Sequence, residues 1–122
     1  MSLISDFIAV HQQFRIFHWQ TRSYAQHMAY GGIYSNLDNL IDTFMETFMG
    51  KYGVPMLDDS EDAICFKNIT EIDIEAFLEE VVQFLLSFNN LLNNNTDSDL
   101  VNLRDEMLAE VNKLKYLLTL KS

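Results

Sequence analysis

Cysteine, proline, glycine and positive charge are all scarce in this sequence. Cys65 is the only cysteine among 122 residues. No disulfide closes within one copy, and no thiolate zinc site can be built from it. A single thiol also favours a reducing compartment. One Pro and four Gly are too few for an all-β fold with its many tight turns. Eight Lys and Arg stand against 18 Asp and Glu, a net charge of −10. The bases are scattered from Arg15 to Lys121, and neither end carries a basic tail. Such a surface repels phosphates, so no grip on DNA is expected. Long apolar runs are missing too, so no membrane span is expected. The opening residues, Met1 to Asp6, lack the basic-then-apolar order of a secretory leader. A cytoplasmic location is the expectation, with a viral source left open.

What remains is ordinary globular composition, 48% hydrophobic and 21% charged, in a length that fits one domain over 1–122. Apolar residues recur by threes and fours in four segments, the spacing of one helix face. Leu3, Phe7, Val10, Phe14 and Phe17 mark a first helix from Ser2 to about Gln20. Ile33, Leu37, Leu40, Phe44 and Phe48 mark a second, from Tyr24 to Tyr52, with Ser23 and Gln26 as a capping box and Gly53 and Pro55 as its stop. Gly31-Gly32 is its weak point, since each costs about 1 kcal/mol against Ala in a helix interior. The pair either breaks the helix or lets a neighbour come close. A loop over 54–70 follows, acidic at Asp58, Asp59, Glu61 and Asp62, with room for a short helical turn. A third helix is expected from Glu71 to Asn93, with Thr70 and Asp73 as capping candidates. A fourth is expected from Thr96 or Asp97 to Leu120. Short connections between the first and second, and between the third and fourth, make those pairs antiparallel. The expected fold is all-α, an antiparallel four-helix bundle with a crossover between its second and third helices.

Chemistry-bearing motifs are few. There is no phosphate-binding glycine loop, no Gly-x-Ser-x-Gly elbow and no His-Glu-x-x-His. A carboxylate di-iron centre inside one bundle needs Glu-x-x-His on two helices. Glu46, Glu75, Glu79 and Glu80 are each followed three residues on by something other than His. The informative set is His18 and His27 with Asp42 and Glu46. The two acids lie one turn apart on one helix face, where they can share a cation, although such a pair is more often plain solvated surface. His27 and Asp42 are fifteen residues apart, roughly 22 Å along a continuous helix. One chain cannot bring them to one ion. They nevertheless lie within about 60° of one face. Two such helices packed antiparallel about a two-fold axis near Tyr34 to Asp38 would set His27 of one copy beside Asp42 and Glu46 of the other.

At these residues the sequence resembles the Dps family of mini-ferritins. His18-Trp19 matches the family's His-Trp pair, His27 its second histidine, and Asp42-Thr43-Phe44-Met45-Glu46 its Asp-x-x-x-Glu. Gly50 to Pro55 resembles the family's exit from the second helix. The resemblance implies a ferritin-like bundle that binds iron between two-fold-related subunits. It assigns His18 and His27 as nitrogen ligands from one chain, and Asp42 and Glu46 as oxygen ligands from the other. Zinc or manganese is an alternative occupant of such a donor set. The resemblance also implies ferroxidase chemistry with peroxide or oxygen, and storage of ferric mineral inside a dodecameric shell, with Trp19 packed beside the site. Three departures stand out. The turn between the histidines is short, the chain is shorter than typical members, and Gly31 replaces an acid often found four residues after the second histidine. The other reading is an inactive bundle of the same shape with a structural or partner-binding role. Asp97 and Asp99 sit where related shells funnel cations, but helix capping is the simpler expectation. His11, two turns before His18, is read as a solvated or helix-packing histidine, with an outer-shell partner as the alternative, Asp38 as surface or an extension of the carboxylate row, and Cys65 has no role.

Overall fold

The computed structural model describes residues 2–57 and 63–120, so the acidic stretch from Asp58 to Asp62 lies outside the described residues. Four helices form: α1 (Leu3–Gln20), α2 (Tyr24–Tyr52), α3 (Ile74–Leu86) and α4 (Ser98–Leu117). No strand occurs among the described residues. The apolar stripes of all four meet in one core, in which Phe14, Phe17, Phe44, Leu100 and Val111 are fully buried. Phe7 is an aromatic hub, with its ring centroid 5.5 Å from Phe44, 5.5 Å from Phe84 and 5.7 Å from Phe88. The contacts are edge-on or nearly so, as the ring quadrupoles prefer.

The contacts also fix the topology. His18 meets His27, and Phe7 meets Phe44, so α1 and α2 are antiparallel. Phe14 meets Phe77 while Phe7 meets Phe84, so α1 and α3 are antiparallel. Asn36 bonds Glu110 and Lys51 bonds Asp99, so α2 and α4 are antiparallel. Helices α2 and α3 therefore run the same way, and the chain from Gly53 to Asp73 must travel the length of the bundle. Two glutamines pin the end of that crossover to α1. The Gln13 side chain donates to the Lys67 carbonyl at 2.8 Å and accepts from the Lys67 N–H at 2.9 Å. Gln20, two turns on, accepts from the Ile69 N–H at 2.8 Å and donates to Asn68.

Helix α2 is continuous through Gly31-Gly32, so the pair does not break it, and a neighbour comes close at Gly31 but not at Gly32. Its start differs from the expected capping box. Ser23 accepts from the Gln26 N–H, but Gln26 does not return to the Ser23 amide. The Thr21 hydroxyl stands between them, taking the Ser23 N–H at 3.2 Å and donating to Gln26 Oε1 at 2.7 Å. Gly53, at φ +88°, closes the helix in the left-handed region that favours glycine. Helix α3 starts later than expected, at Ile74 behind the cap Asp73. It also stops being α-helical at Leu86 and goes on as a 3-10 turn over Ser87–Asn90. Two groups draw carbonyls out of the α pattern. The Ser87 hydroxyl takes the Phe84 carbonyl at 2.5 Å. The buried Arg104 guanidinium takes the Leu85 carbonyl at 2.9 Å and Asn89 at 2.9 Å. The short turn foreseen in the crossover is a 3-10 turn at Ile69–Glu71.

Candidate functional site

His18 occupies the last turn of α1 and His27 the first turn of α2. The Thr21–Ser23 turn folds them face to face, with ring centroids 3.9 Å apart and planes 16° from parallel. Each ring bonds the other's backbone. His18 Nδ1 lies 2.7 Å from the His27 carbonyl and His27 Nδ1 lies 2.8 Å from the His18 carbonyl. His18 contributes one of the terminal carbonyls that α1 cannot satisfy itself, so the His27 ring caps that helix. A carbonyl only accepts, so both Nδ1 atoms carry the proton. In the neutral rings the lone pair is then on Nε2. Among the described residues neither Nε2 has a hydrogen-bond partner, and no buried side-chain nitrogen or oxygen lacks one. Both Nε2 atoms therefore reach solvent. Backbone bonds at one nitrogen that free and orient the other are the usual second layer of a histidine metal ligand.

Gly31 makes this arrangement possible. A Cβ there would stand 2.8 Å from His18 Cε1 and 2.9 Å from its Nδ1, closer than real Cβ contacts come. An acid at this position and the observed His18 ring exclude one another. Around the pair lies an open cleft of about 470 Å³, lined also by Arg15, Trp19 and Tyr34. The Arg15 guanidinium sits 4.5 Å above the Trp19 ring and 5.4 Å from that of Tyr34. Trp19 is 65% exposed and Met28 56%, so the cleft is bordered by uncovered apolar surface. His11 is not part of it. Its ring stacks on Tyr34 at 4.1 Å. Its Nε2 donates to the Tyr34 carbonyl at 3.0 Å, and its Nδ1 accepts from Gln12. Both nitrogens are used, which is the helix-packing role. Asp38 stands 3.9 Å from that Nε2.

Asp42 and Glu46 lie exposed, further along the same unbroken helix. The hydrogen bond Glu46 shares with Asp42, then the charge of Asp42, holds the Glu46 carboxyl above the usual glutamate range. Among the described residues neither acid has an ion-pair partner. One chain thus carries two neighbouring nitrogen donors at one place and two mutually repelling carboxylates at another. Among the described residues no three His, Cys, Asp or Glu side chains gather to hold a metal within one copy.

Asp97 and Asp99 have a different task. Asp97 is the residue before α4, but its carboxylate does not cap that helix. It accepts from the Asn93 N–H at 2.9 Å, the Tyr52 hydroxyl at 2.6 Å and Lys51 at 3.3 Å. Asp99 takes Lys51 at 2.5 Å. The cluster ties the end of α2 to the start of α4, and its two acids share one cation, Lys51. Sequence reasoning missed this clamp, and it missed the buried Arg104. The one available signal for Arg104 was its place between Leu100 and Met107, on the apolar stripe. Cys65 is exposed.

No described helix is long and apolar enough to cross a membrane. A model of a family of unknown function, DUF5856, matches residues 18–118. A similar curated protein is the uncharacterized 14.6 kDa protein in the mobD-ri intergenic region of Enterobacteria phage T4, 44% identical over 46 residues. The match covers 38% of this chain and spans about a third, 36%, of the phage protein's length. No solved structure matches.

Proposed function

The chain belongs to the DUF5856 family, and we propose that it is a ferritin-like, Dps-like protein that binds and oxidises Fe(II) at sites shared between two copies. The observation that carries this reading is the stacked His18–His27 pair, whose two Nε2 lone pairs are freed by reciprocal backbone bonds. The single long crossover between parallel α2 and α3 supports the ferritin-like fold, since that connectivity is one of the few ways to close a four-helix bundle. Asp42 and Glu46 of a second copy supply the oxygen ligands. Small exposed residues near the middle of α2, Gly32 and Ser35, allow two such helices to cross closely. Neutral imidazole with carboxylate is a donor set for iron, and equally for zinc or manganese. Iron is the substrate here: each Fe(II) gives one electron to oxygen or peroxide, and the ferric product is retained. The cation also relieves the repulsion between Asp42 and Glu46. A phage protein among the relatives fits a viral gene.

Gly31 favours a second reading, in which the site binds the ion without fast oxidation and the bundle has a structural role. With a glycine there, the site lacks the oxygen ligand that an acid would add. Aerobic addition of Fe(II) to metal-free protein separates the two. Ferric absorbance should rise faster than in buffer, with iron co-eluting with protein on a sizing column. Asp42→Ala and Glu46→Ala should each abolish both effects while helical content stays the same. Retained iron without acceleration would leave binding only. No retained iron would refute the metal site.

A further inference from the structure

Tyr30 stands three residues beyond His27, with its ring in the core 5.5 Å from that of Phe17. It is only 1% exposed. Among the described residues its hydroxyl has no hydrogen-bond partner, yet no buried side-chain oxygen is without one. The exposed remnant is therefore the hydroxyl itself. It opens into a cavity of about 570 Å³ at the end of the bundle, between the start of α2, the start of α3 and the end of α4. None of the residues around the histidine cleft lines it.

The cavity has the make-up of a small-molecule site. Ile69, Ile74, Leu78 and Leu118 form apolar walls. The volume falls within the roughly 300–1,000 Å³ of ligand pockets, which pair such walls with a few placed polar groups. The polar groups here have a sign. Glu79 is paired with Lys115 at 3.7 Å. Among the described residues Glu75 has no ion-pair partner, so the cavity presents a negative charge. Burial pushes the Tyr30 hydroxyl up to about 12, so it stays a neutral donor and acceptor through the physiological range.

We propose that this cavity binds a small apolar molecule carrying an ammonium group, its body against the leucine and isoleucine walls, an N–H on the Tyr30 oxygen and its charge facing Glu75. No bond is made or broken. The hydroxyl faces the cavity with no protein partner among the described residues, so a ligand N–H can take the place of solvent there.

Isothermal titration with three probes of one shape tests this: 2-phenylethylamine, 2-phenylethanol and 3-phenylpropanoate. The amine should bind tightest and the carboxylate weakest. Tyr30→Phe should weaken the amine about tenfold, the scale of one buried hydrogen bond. Glu75→Gln should weaken the amine severalfold and leave the alcohol unchanged. Tyr30→Phe removes an atom without a partner, so its unfolding midpoint should match the parent. If that variant failed to fold, Glu75→Gln, at an exposed position, would carry the test alone. Absence of saturable binding by the amine at millimolar concentration would overturn the proposal. So would equal affinity in Tyr30→Phe, or a carboxylate that binds as well as the amine.

Discussion

Replacing each of the two adjacent glycines of α2 by alanine isolates what holds the histidine pair. Both sit in a helix interior, where alanine gains about 1 kcal/mol over glycine. At Gly32 a Cβ meets nothing within 4 Å, so Gly32→Ala should keep that gain. At Gly31 the Cβ would lie 2.8 Å from His18 Cε1, so the ring must retreat by about 0.6 Å to reach the 3.4 Å of ordinary contact. That retreat lengthens the 2.7 Å bond from His18 Nδ1 to the His27 carbonyl and shears the ring stack. Loss of one such bond costs about 1 kcal/mol. Gly31→Ala should therefore come out near neutral, and the two variants should differ by about 1 kcal/mol. That corresponds to roughly 4 °C in Tm for a domain of this size. Urea unfolding reads the stability. Nitrogen-15 NMR of the imidazoles reads whether His18 still carries its proton on Nδ1 in a hydrogen bond. Equal stabilisation by both substitutions, with unchanged His18 signals, would refute the steric argument. In the Fe(II) assay Gly31→Ala should lose affinity.

Other outcomes follow from the packing and the charges. Phe7→Ala, which empties the hub between Phe44, Phe84 and Phe88, should cost about 3–5 kcal/mol by denaturant unfolding; a cost below 1 kcal/mol would show that the cluster is not the core. Asp97 is held below the usual aspartate range by the Asn93 N–H first, then by the Tyr52 hydroxyl and Lys51. Its contribution is therefore full above the unfolded value of about 3.9 and is lost as pH falls through the lower folded value. Asp97→Asn should flatten the stability profile from about pH 5 downward, and an unchanged acid limb would clear Asp97 of the role.

How much of this was readable in advance depended on whether a feature is local. The starts of α1 and α2, and the end of α2, follow from periodicity, Ser2, Ser23 and Gly53, all short-range signals. The end of α3 was misjudged because Arg104, far along the chain, draws away the Leu85 carbonyl. The capping box was misjudged because Thr21 inserted its hydroxyl into it. Asp97 seemed a helix cap, and tertiary partners claimed it instead. At the site, the nearness of His18 and His27 was readable from the short turn, and their separation from Asp42 from the helix rise. The reciprocal carbonyl bonds and the need for Gly31 were not, because both depend on how two rings nest against a backbone. Tyr30 was passed over because it carries no motif. What singles it out is a buried ring whose hydroxyl reaches the cavity at the end of the bundle.

The continuity of α2 sets the last constraint. A rod unbroken from Tyr24 to Tyr52 holds His27 and Asp42 roughly 22 Å apart in every copy, and no hinge exists at the glycine pair. If the donor set is one site, a second copy must complete it, and metal affinity becomes linked to assembly. Before metal arrives, each Asp42–Glu46 pair opposes close packing of two acidic helices, and a cation removes that opposition. Anaerobic Fe(II) should therefore shift sedimentation toward dimers or larger species. At a fixed iron concentration, dilution of the protein should weaken the apparent binding. Stoichiometric, tight Fe(II) binding by a species that stays at 14.2 kDa would break the link, because four ligands at these positions cannot converge within one chain.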